Sequence, residues 1–491
     1  MRPIVACLLV LCLSLPGCGG GPDTDALAKD VEDRIAQALP AGTVVLTSLE
    51  RRGSQSDTKA PAGETRRIVY FDAELKLVRD FNFGAWDAPG VAGLVSALGA
   101  GPKGITGITS GGNNAGNIMR AHGTALYKRE GDKWAAVVTG GYRPPTAPSY
   151  ATNAPSGAAA ILEAMRKAME AVPKDGASAQ RAVIEEELTA AHAAIRARLA
   201  RVADGYAIAA GPEHGQYLRF AHALSDGPLA RAVPLITRGG EDNIRLLREG
   251  KVSLALAQGD AALQAYEGKG NFANEGPYAA LRAVGSLYPE PVHVLVRTDS
   301  ALTSMADLAG GRVAVGQMGS ASRITALRVL QAHGLGLEDL TPLELGIGDA
   351  LTGLRQRNVD AVIQVIGVPA DSIRDALDEV ALRLLPLEPS AIAALASANT
   401  GYFAYSIPAG VYATQRQEAR TVATAALLLT SGTLSETEIG TITRNVFEKG
   451  RDFTARGSAQ GAQVSPATAR RGLPIPMHIA AGKELDAMGA K

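Results

Sequence analysis

Cysteine is almost absent from this chain of 491 residues: Cys7, Cys12 and Cys18 are the only three, and all lie in the first eighteen positions. Past Cys18 there is no disulfide, no cysteine zinc cluster and no thiol nucleophile to consider. A body without thiols also suits an oxidising compartment. Aromatic residues make up only 4% of the chain, so a core must be built from aliphatic side chains. Lys plus Arg number 49 and Asp plus Glu 49, a formal net charge of zero, which excludes a nucleic-acid or polyanion binder that relies on a broad positive field. Beyond the leader no apolar run has membrane-spanning length, and Ala423 to Leu429 reads as a fragment of a core helix. Catalytic signatures are missing too. Ser320 sits in no G-x-S-x-G elbow, and neither a phosphate-binding Walker loop nor H-E-x-x-H occurs. Gly334-Leu335-Gly336 follows a helix and ends it, unlike a dinucleotide fingerprint. No catalytic residue, cofactor or metal site is expected.

What remains is a chain of 46% hydrophobic and 20% charged residues, a globular composition long enough for two or three domains. It opens with Arg2 and the apolar run Ile4 to Leu15, too short to span a bilayer. The run ends in Leu15-Pro16-Gly17-Cys18. A small residue directly before cysteine after such a run resembles a bacterial lipoprotein box, which implies cleavage before Cys18, lipidation of its thiol, and tethering to a membrane without crossing it. An ordinary secretory leader with an incidental cysteine is the other reading.

Residues 26–39 place Leu27, Val31, Ile35 and Leu39 four apart, an amphipathic helix. Extended runs follow at Thr43 to Leu49, Arg67 to Leu77 and Thr124 to Val138, the last broken by a Gly131-Asp132 turn. Together they predict a small α+β domain over 26–142. Residues 143–160 have the Pro, Ala, Ser and Thr content of a linker, and two helices, Ile161 to Val172 and Ala179 to Val202, complete a connection over 143–205. From Tyr206 the pattern becomes strand, Gly-containing turn and helix. Tyr206 to Ala210 gives way to Gly211-Pro212 and then a helix, and such turns present free backbone N–H groups to an anion. A second series starts at Arg312, turns through Gly316 to Ser322 and continues as the helix Arg323 to His333. Leu281 to Leu287 and Val292 to Arg297 read as two strands joined by Tyr288-Pro289-Glu290-Pro291. Two consecutive α/β series predict two lobes with a ligand where their strand ends converge.

The order of short motifs from 206 to 485 resembles the TAXI class of solute receptors for TRAP (tripartite ATP-independent periplasmic) transporters. The pieces are AAGPEHGQYLRFAHAL, EDNIRLLREGKVSLALAQGD, LYPEPVHVLVRTDS, DLAGGRVAVGQMGSASR, GDALTGLRQRNVDAVIQVIGVPADSI, YSIPAGVYATQ and LPIPMHIAAG. That resemblance implies a type II periplasmic-binding-protein fold, with one lobe over 206–298 plus 400–485 and the other over 299–399. It implies capture of a small solute, carboxylate or amino acid, for delivery to a TRAP permease subunit. Pro212-Glu213-His214 stands where the family is richer in Gly and Thr, and Ile479 follows His478 where the family has proline. An alternative is a sensor or scaffold lipoprotein whose first domain holds a protein partner.

Ligand contacts are expected from His214, Gly215, Gln216 and Tyr217 in the first lobe, with Gln258 and Asp260 at a strand end. Asp260 serves equally as a helix N-cap. In the second lobe Ser320 and Ser322 offer hydroxyls and Arg323 a fork for a carboxylate, while Gln364 and Pro369 bracket a strand-to-helix turn. Tyr402, Tyr405 and Pro408 fall where the chain crosses back, with Tyr405 the one expected at the ligand, and His478 resembles a family position.

Overall fold

The computed structural model describes residues 21–58, 60–61, 63–101, 104–137, 167, 178–213, 215–318, 320–412, 415–432 and 434–490. The leader with Cys18, the linker, all of the helix expected at 161–172 except Lys167, and His214 lie outside the described residues. None of the described helices is long and apolar enough to cross a membrane.

The N-terminal domain carries α1 (Thr24–Ala38), whose first turn is capped by the Asp23 carboxylate accepting from the Ala26 N–H at 2.8 Å. The four-residue spacing of Leu27, Val31 and Ile35 gives one apolar face, and all three are buried. That face lies over an antiparallel sheet of β1 (Val44–Ser56), β2 (Arg66–Leu77), β4 (Ile118–Glu130) and β3 (Ile105–Thr106), with β5 (Lys133–Val137) paired to β4. A second helix, α2 (Gly90–Leu98), had no sequence signal. Every one of its residues is buried, so it has no polar face and no amphipathic period.

A long, mostly exposed helix, α3 (Ser178–Asp204), leads into the main body. Its first half runs β6 (Tyr206–Gly211), α4 (Gln216–Ser225), β7 (Ala232–Ile236), α5 (Gly240–Arg248), β8 (Leu254–Gln258), α6 (Gly259–Glu267) and β9 (Leu281–Arg297). The second half runs β10 (Arg312–Ala314), α7 (Ala321–Ala332), β11 (Thr341–Leu343), α8 (Ile347–Gln356), β12 (Ala361–Val365), α9 (Asp371–Leu377), β13 (Leu382–Leu384) and α10 (Pro389–Ala398). The chain returns through β14 (Tyr402–Ile407) and β15 (Ala419–Ser431), then α11 (Glu436–Phe447) and α12 (Ile479–Ala487).

The ten-stranded sheet has the order β11-β10-β12-β9-β15-β8-β6-β7, with β13 on β9 and β14 on β15. In one half, β7, β6 and β8 are parallel and β15 joins them antiparallel; in the other, β11, β10 and β12 are parallel and β9 joins antiparallel. Each lobe thus takes its antiparallel strand from chain that has just left, or is just returning to, the other lobe. This exchanged, doubly repeated order is the type II periplasmic-binding-protein arrangement that the resemblance of the motifs over 206–485 implies.

Two sequence expectations need correction here. The strands expected at Leu281 to Leu287 and Val292 to Arg297 form one strand of 17 residues. Pro289 and Pro291 stay in register with Ala425 and Ala423 of β15, and pairing with β12 begins at the next residue, Val292, so the prolines do not divide the strand. Ala423 to Leu429 is no helix but the centre of β15, where every residue from Thr421 to Ser431 is buried. A short apolar run buried on both faces has no period to distinguish strand from helix.

The N-terminal domain is docked against this body. Gly84 approaches so closely that a Cβ there would lie 2.0 Å from the Ala462 carbonyl oxygen, a position only glycine can fill. Beside it Trp86, only 1% exposed, donates its indole N–H to the Gln463 carbonyl at 3.2 Å and stacks on Phe403 with 6.1 Å between centroids. The Arg471 guanidinium lies 5.2 Å from the same ring. Trp86→Ala is expected to cost about 3–5 kcal/mol in chemical denaturation. A midpoint equal to that of the parent protein would mean the indole is not the buried anchor described.

Candidate functional site

Four strand-to-helix turns meet between the lobes: β6–α4 and β8–α6 from the first, β10–α7 and β12–α9 from the second. Gln216, in the first turn of α4, closes the gap. Its amide nitrogen donates to the Gly367 and Pro369 carbonyls at 2.9 and 3.1 Å, and its oxygen accepts the Gly367 N–H at 2.9 Å. Gln460 also donates to the Pro369 carbonyl, at 2.6 Å. The outer side of the same contact carries an ion pair between Arg219 and Asp371 at 3.1 Å. These contacts give the closed arrangement of the two lobes.

Deeper in, Asp260 is 1% exposed. One carboxylate oxygen, Oδ2, accepts the Tyr402 hydroxyl at 2.7 Å and the Thr325 hydroxyl at 3.2 Å, with Arg328 Nη1 at 3.8 Å. Its other oxygen, Oδ1, is buried with no partner among the described residues, and so is Gln258 Oε1. Glu290, from the crossing segment of β9, accepts the Tyr217 hydroxyl at 2.6 Å. Burial pushes its carboxyl up from 4.5 to about 8, with the charge of Asp260 adding to the push, against the opposing hydrogen bonds from Tyr217 and Gln258. The folded environment therefore favours the protonated form of Glu290. The hydroxyl of fully buried Tyr288 likewise has no partner among the described residues. The inter-lobe interior thus holds one buried carboxylate and an amide oxygen still able to accept, a chemistry suited to a group rich in N–H donors.

The expected residues fall into three groups. Gln216, Tyr217, Gln258 and Asp260 meet between the lobes as described. Gly215 is the N-cap of α4, donating to the Pro212 carbonyl at 2.8 Å, and Pro369 offers its carbonyl to the two glutamines. The second group is engaged within its own lobe. Ser320 caps α7 by accepting the Arg323 N–H at 3.2 Å; Ser322 donates to the Val365 carbonyl at 3.2 Å and accepts from Gln364 at 2.8 Å. Arg323 Nη2 pairs with Glu344 at 2.7 Å, while its Nε is buried without a partner among the described residues. The third group serves elsewhere. The Tyr405 hydroxyl donates to the Trp86 carbonyl, and His478 caps α12, accepting the Ala480 N–H at 3.2 Å. Tyr288, Glu290, Thr325 and Arg328 were not found from sequence. For Glu290 the usable signal was a lone carboxylate between two prolines inside an apolar run.

Behind the site, His293 on β9 is fully buried. Its Nε2 and the Tyr412 hydroxyl lie 2.8 Å apart, and burial lowers its pKa from 6.5 to about 4.

The sequence profile of the NMT1-like family matches residues 208–489, so the first 207 residues lie outside the match. Among solved structures the chain is similar to the periplasmic aliphatic sulphonate-binding protein SsuA from Escherichia coli, at 19% identity and a TM-score of 0.33, over 57% of this chain and 78% of that one. It is also similar to the alkanesulfonate-binding protein SsuA from Xanthomonas axonopodis pv. citri bound to MOPS, at 23% identity and 0.32, over 58% and 90%. A third is an ABC transporter periplasmic binding protein from Brucella ovis with glutathione bound, at 9% identity and 0.33, over 51% and 69%.

Glu290 makes stability depend on pH in a stated direction. The unfolded chain releases this proton near 4.5, and the folded protein keeps it to about 8. The contribution is complete below 4.5 and is lost as pH rises towards 8. His293 works on the other side, complete above 6.5 and lost as pH falls towards 4. Glu290→Gln is expected to remove the alkaline loss, so that in urea unfolding the variant gains stability relative to the parent as pH rises from 5 to 8. Equal slopes between pH 5 and 8 in the two proteins would contradict the assignment.

Proposed function

The chain belongs to the NMT1-like family, and from that premise we propose that it is an extracytoplasmic solute-binding protein whose two lobes close on one small organic solute. The observation that carries this reading is the Gln216 bridge to Gly367 and Pro369 above the partnerless Asp260 Oδ1 and Gln258 Oε1. Opening the bridge gives a solute access to the acceptors; closing it excludes water and strengthens each contact made inside. The proposed solute carries an amine directed at Asp260 and Gln258, or a carboxylate directed at Arg323 and the α7 turn, as an amino acid does. His214 also belongs to the proposed ligand set.

The finer assignment is to a TRAP-type secondary transporter of the TAXI class, supported by the seven motifs in order across 206–485. Residues 15–18 support lipid anchoring through Cys18 on the periplasmic face of a membrane. A permease subunit is the proposed partner. The second reading, a sensor or scaffold lipoprotein, is favoured by one observation: the N-terminal domain outside the family match is docked on both lobes. A binding experiment with and without the permease separates the two.

Thermal shift against amino acids, each paired with its deaminated carboxylate, tests the solute class. A true ligand at 100 times its Kd is expected to add about 2.7 kcal/mol of stability. Asp260→Asn is expected to reduce the preference for the amine over its deaminated partner, and Arg323→Ala to weaken a carboxylate by ~1.5–3 kcal/mol. A folded sample that answers to no member of the panel would contradict the proposed class of solute.

A further inference from the structure

The N-terminal domain touches the two lobes unequally. Towards the first lobe and its C-terminal segment it makes a dense set of contacts. Gly107 N–H donates to Asp452 at 2.8 Å, Ser110 N–H to the Arg451 carbonyl at 3.1 Å, and Gly450 N–H to the Ser110 carbonyl at 3.0 Å. Ala459 and Ala462 are part of the N-terminal domain's own apolar core, next to the close Gly84 approach. Towards the second lobe the polar contacts among the described residues are sparse. Arg374 Nη2 donates to the Ala100 carbonyl at 3.0 Å, and Arg66 Nη1 to the Asp378 carbonyl at 3.1 Å.

Arg374 is only 1% exposed, unusual for a guanidinium, and it is not isolated. Its Nη1 pairs with Asp371 at 3.2 Å, and the other oxygen of Asp371 pairs with Arg219 of the first lobe at 3.1 Å. One carboxylate therefore joins three bodies in sequence: Arg219 of lobe one, Asp371 and Arg374 of lobe two, and the Ala100 carbonyl of the N-terminal domain. Opening the cleft pulls Arg219 from Asp371. It also draws Arg374 out from under Ala100, if the N-terminal domain travels with the lobe that holds it more firmly.

We propose that the N-terminal domain is a latch fixed to the first lobe, which grips the second lobe through Arg374 and Arg66 only when the cleft is shut. This rests on the hinged reading above. It gives the added domain a task in that cycle: biasing the protein towards the closed state and exposing a new face on opening.

Spin labels placed at Lys76 of the N-terminal domain, Glu249 of lobe one and Glu338 of lobe two, all exposed, report the three distances pairwise. Cys7, Cys12 and Cys18 are replaced by serine in the full chain, so that labels go only to the introduced cysteines. Electron–electron distance measurements are made on the parent, on Arg374→Ala, on the milder Arg66→Ala, and on Gln216→Ala combined with Arg219→Ala. The expected result is that each variant lengthens 249–338 and 76–338 together, while 76–249 stays at its parent value. If 249–338 lengthens in the Gln216 and Arg219 variant while 76–249 lengthens and 76–338 does not, the domain rides on lobe two. The latch is then wrong although the hinge stands. If Arg374→Ala and Arg66→Ala both leave 249–338 unchanged while the double variant opens, the domain does not hold the cleft. If no variant changes 249–338, the lobes form one rigid body and both readings fall.

Discussion

A carboxylate taken out of water must be given hydrogen-bond donors, and Asp260 is given them on one side only. Tyr402 and Thr325 serve Oδ2; Oδ1 is buried with no partner among the described residues. An unmet buried acceptor costs on the order of 1–3 kcal/mol, more for a charged group. Evolution removes such a cost readily by substitution, so its presence where two lobes meet is most simply explained by something that donates to it during the working cycle. The raised carboxyl pKa of Glu290 follows from the same constraint, burial out of water, with the neighbouring Asp260 adding to it.

The fold supplies the geometry for this. Because β9 and β15 exchange lobes, the sheet is continuous, and the two sets of parallel strands send their carboxyl ends to a common seam. Asp260 comes from the first turn of α6 in one lobe, Thr325 from a helix of the other, Glu290 from the crossing strand β9, and Tyr402 from β14, which pairs with β15. A residue on a crossing strand sits between the lobes, whereas Gln216 and Asp260 reach across the seam from lobe one. The N–H to Thr424 Oγ1 contact at 3.2 Å pins Asp260 to β15, so the acid is held by the crossing element as well as by lobe two.

Much of this was legible in the residues, and the parts that were not share a cause. Strands with flanking turns were readable, as with Ala361 to Val365 and Ala232 to Ile236, because polar or Gly-bearing segments bound short apolar runs. The two-lobe order followed from the repetition of that pattern. What failed was whatever had no contrast between faces. The centre of β15 looked like a helix, β9 looked like two strands because of its prolines, and α2 was not seen. All three are buried on every side, which removes the period that pattern reading needs. Of the proposed ligand residues, Gln216, Tyr217, Gln258 and Asp260 could be picked out because they stand at strand-to-helix turns, and the structure brings them together between the lobes. Glu290, Tyr288 and Thr325 lie inside elements, and only tertiary pairing brings them to the seam. Tyr405 was placed near the crossover but is used by Trp86, from a domain whose docking no local pattern announces.

The most direct test of a cleft that encloses one solute is native mass spectrometry of the full chain purified gently from its own host. A single adduct with the mass of one small amine- or carboxylate-bearing molecule, released on denaturation and depleted in Asp260→Asn, is the predicted result. A ligand-free mass alone, under conditions that retain the solute on a control binding protein, would contradict it.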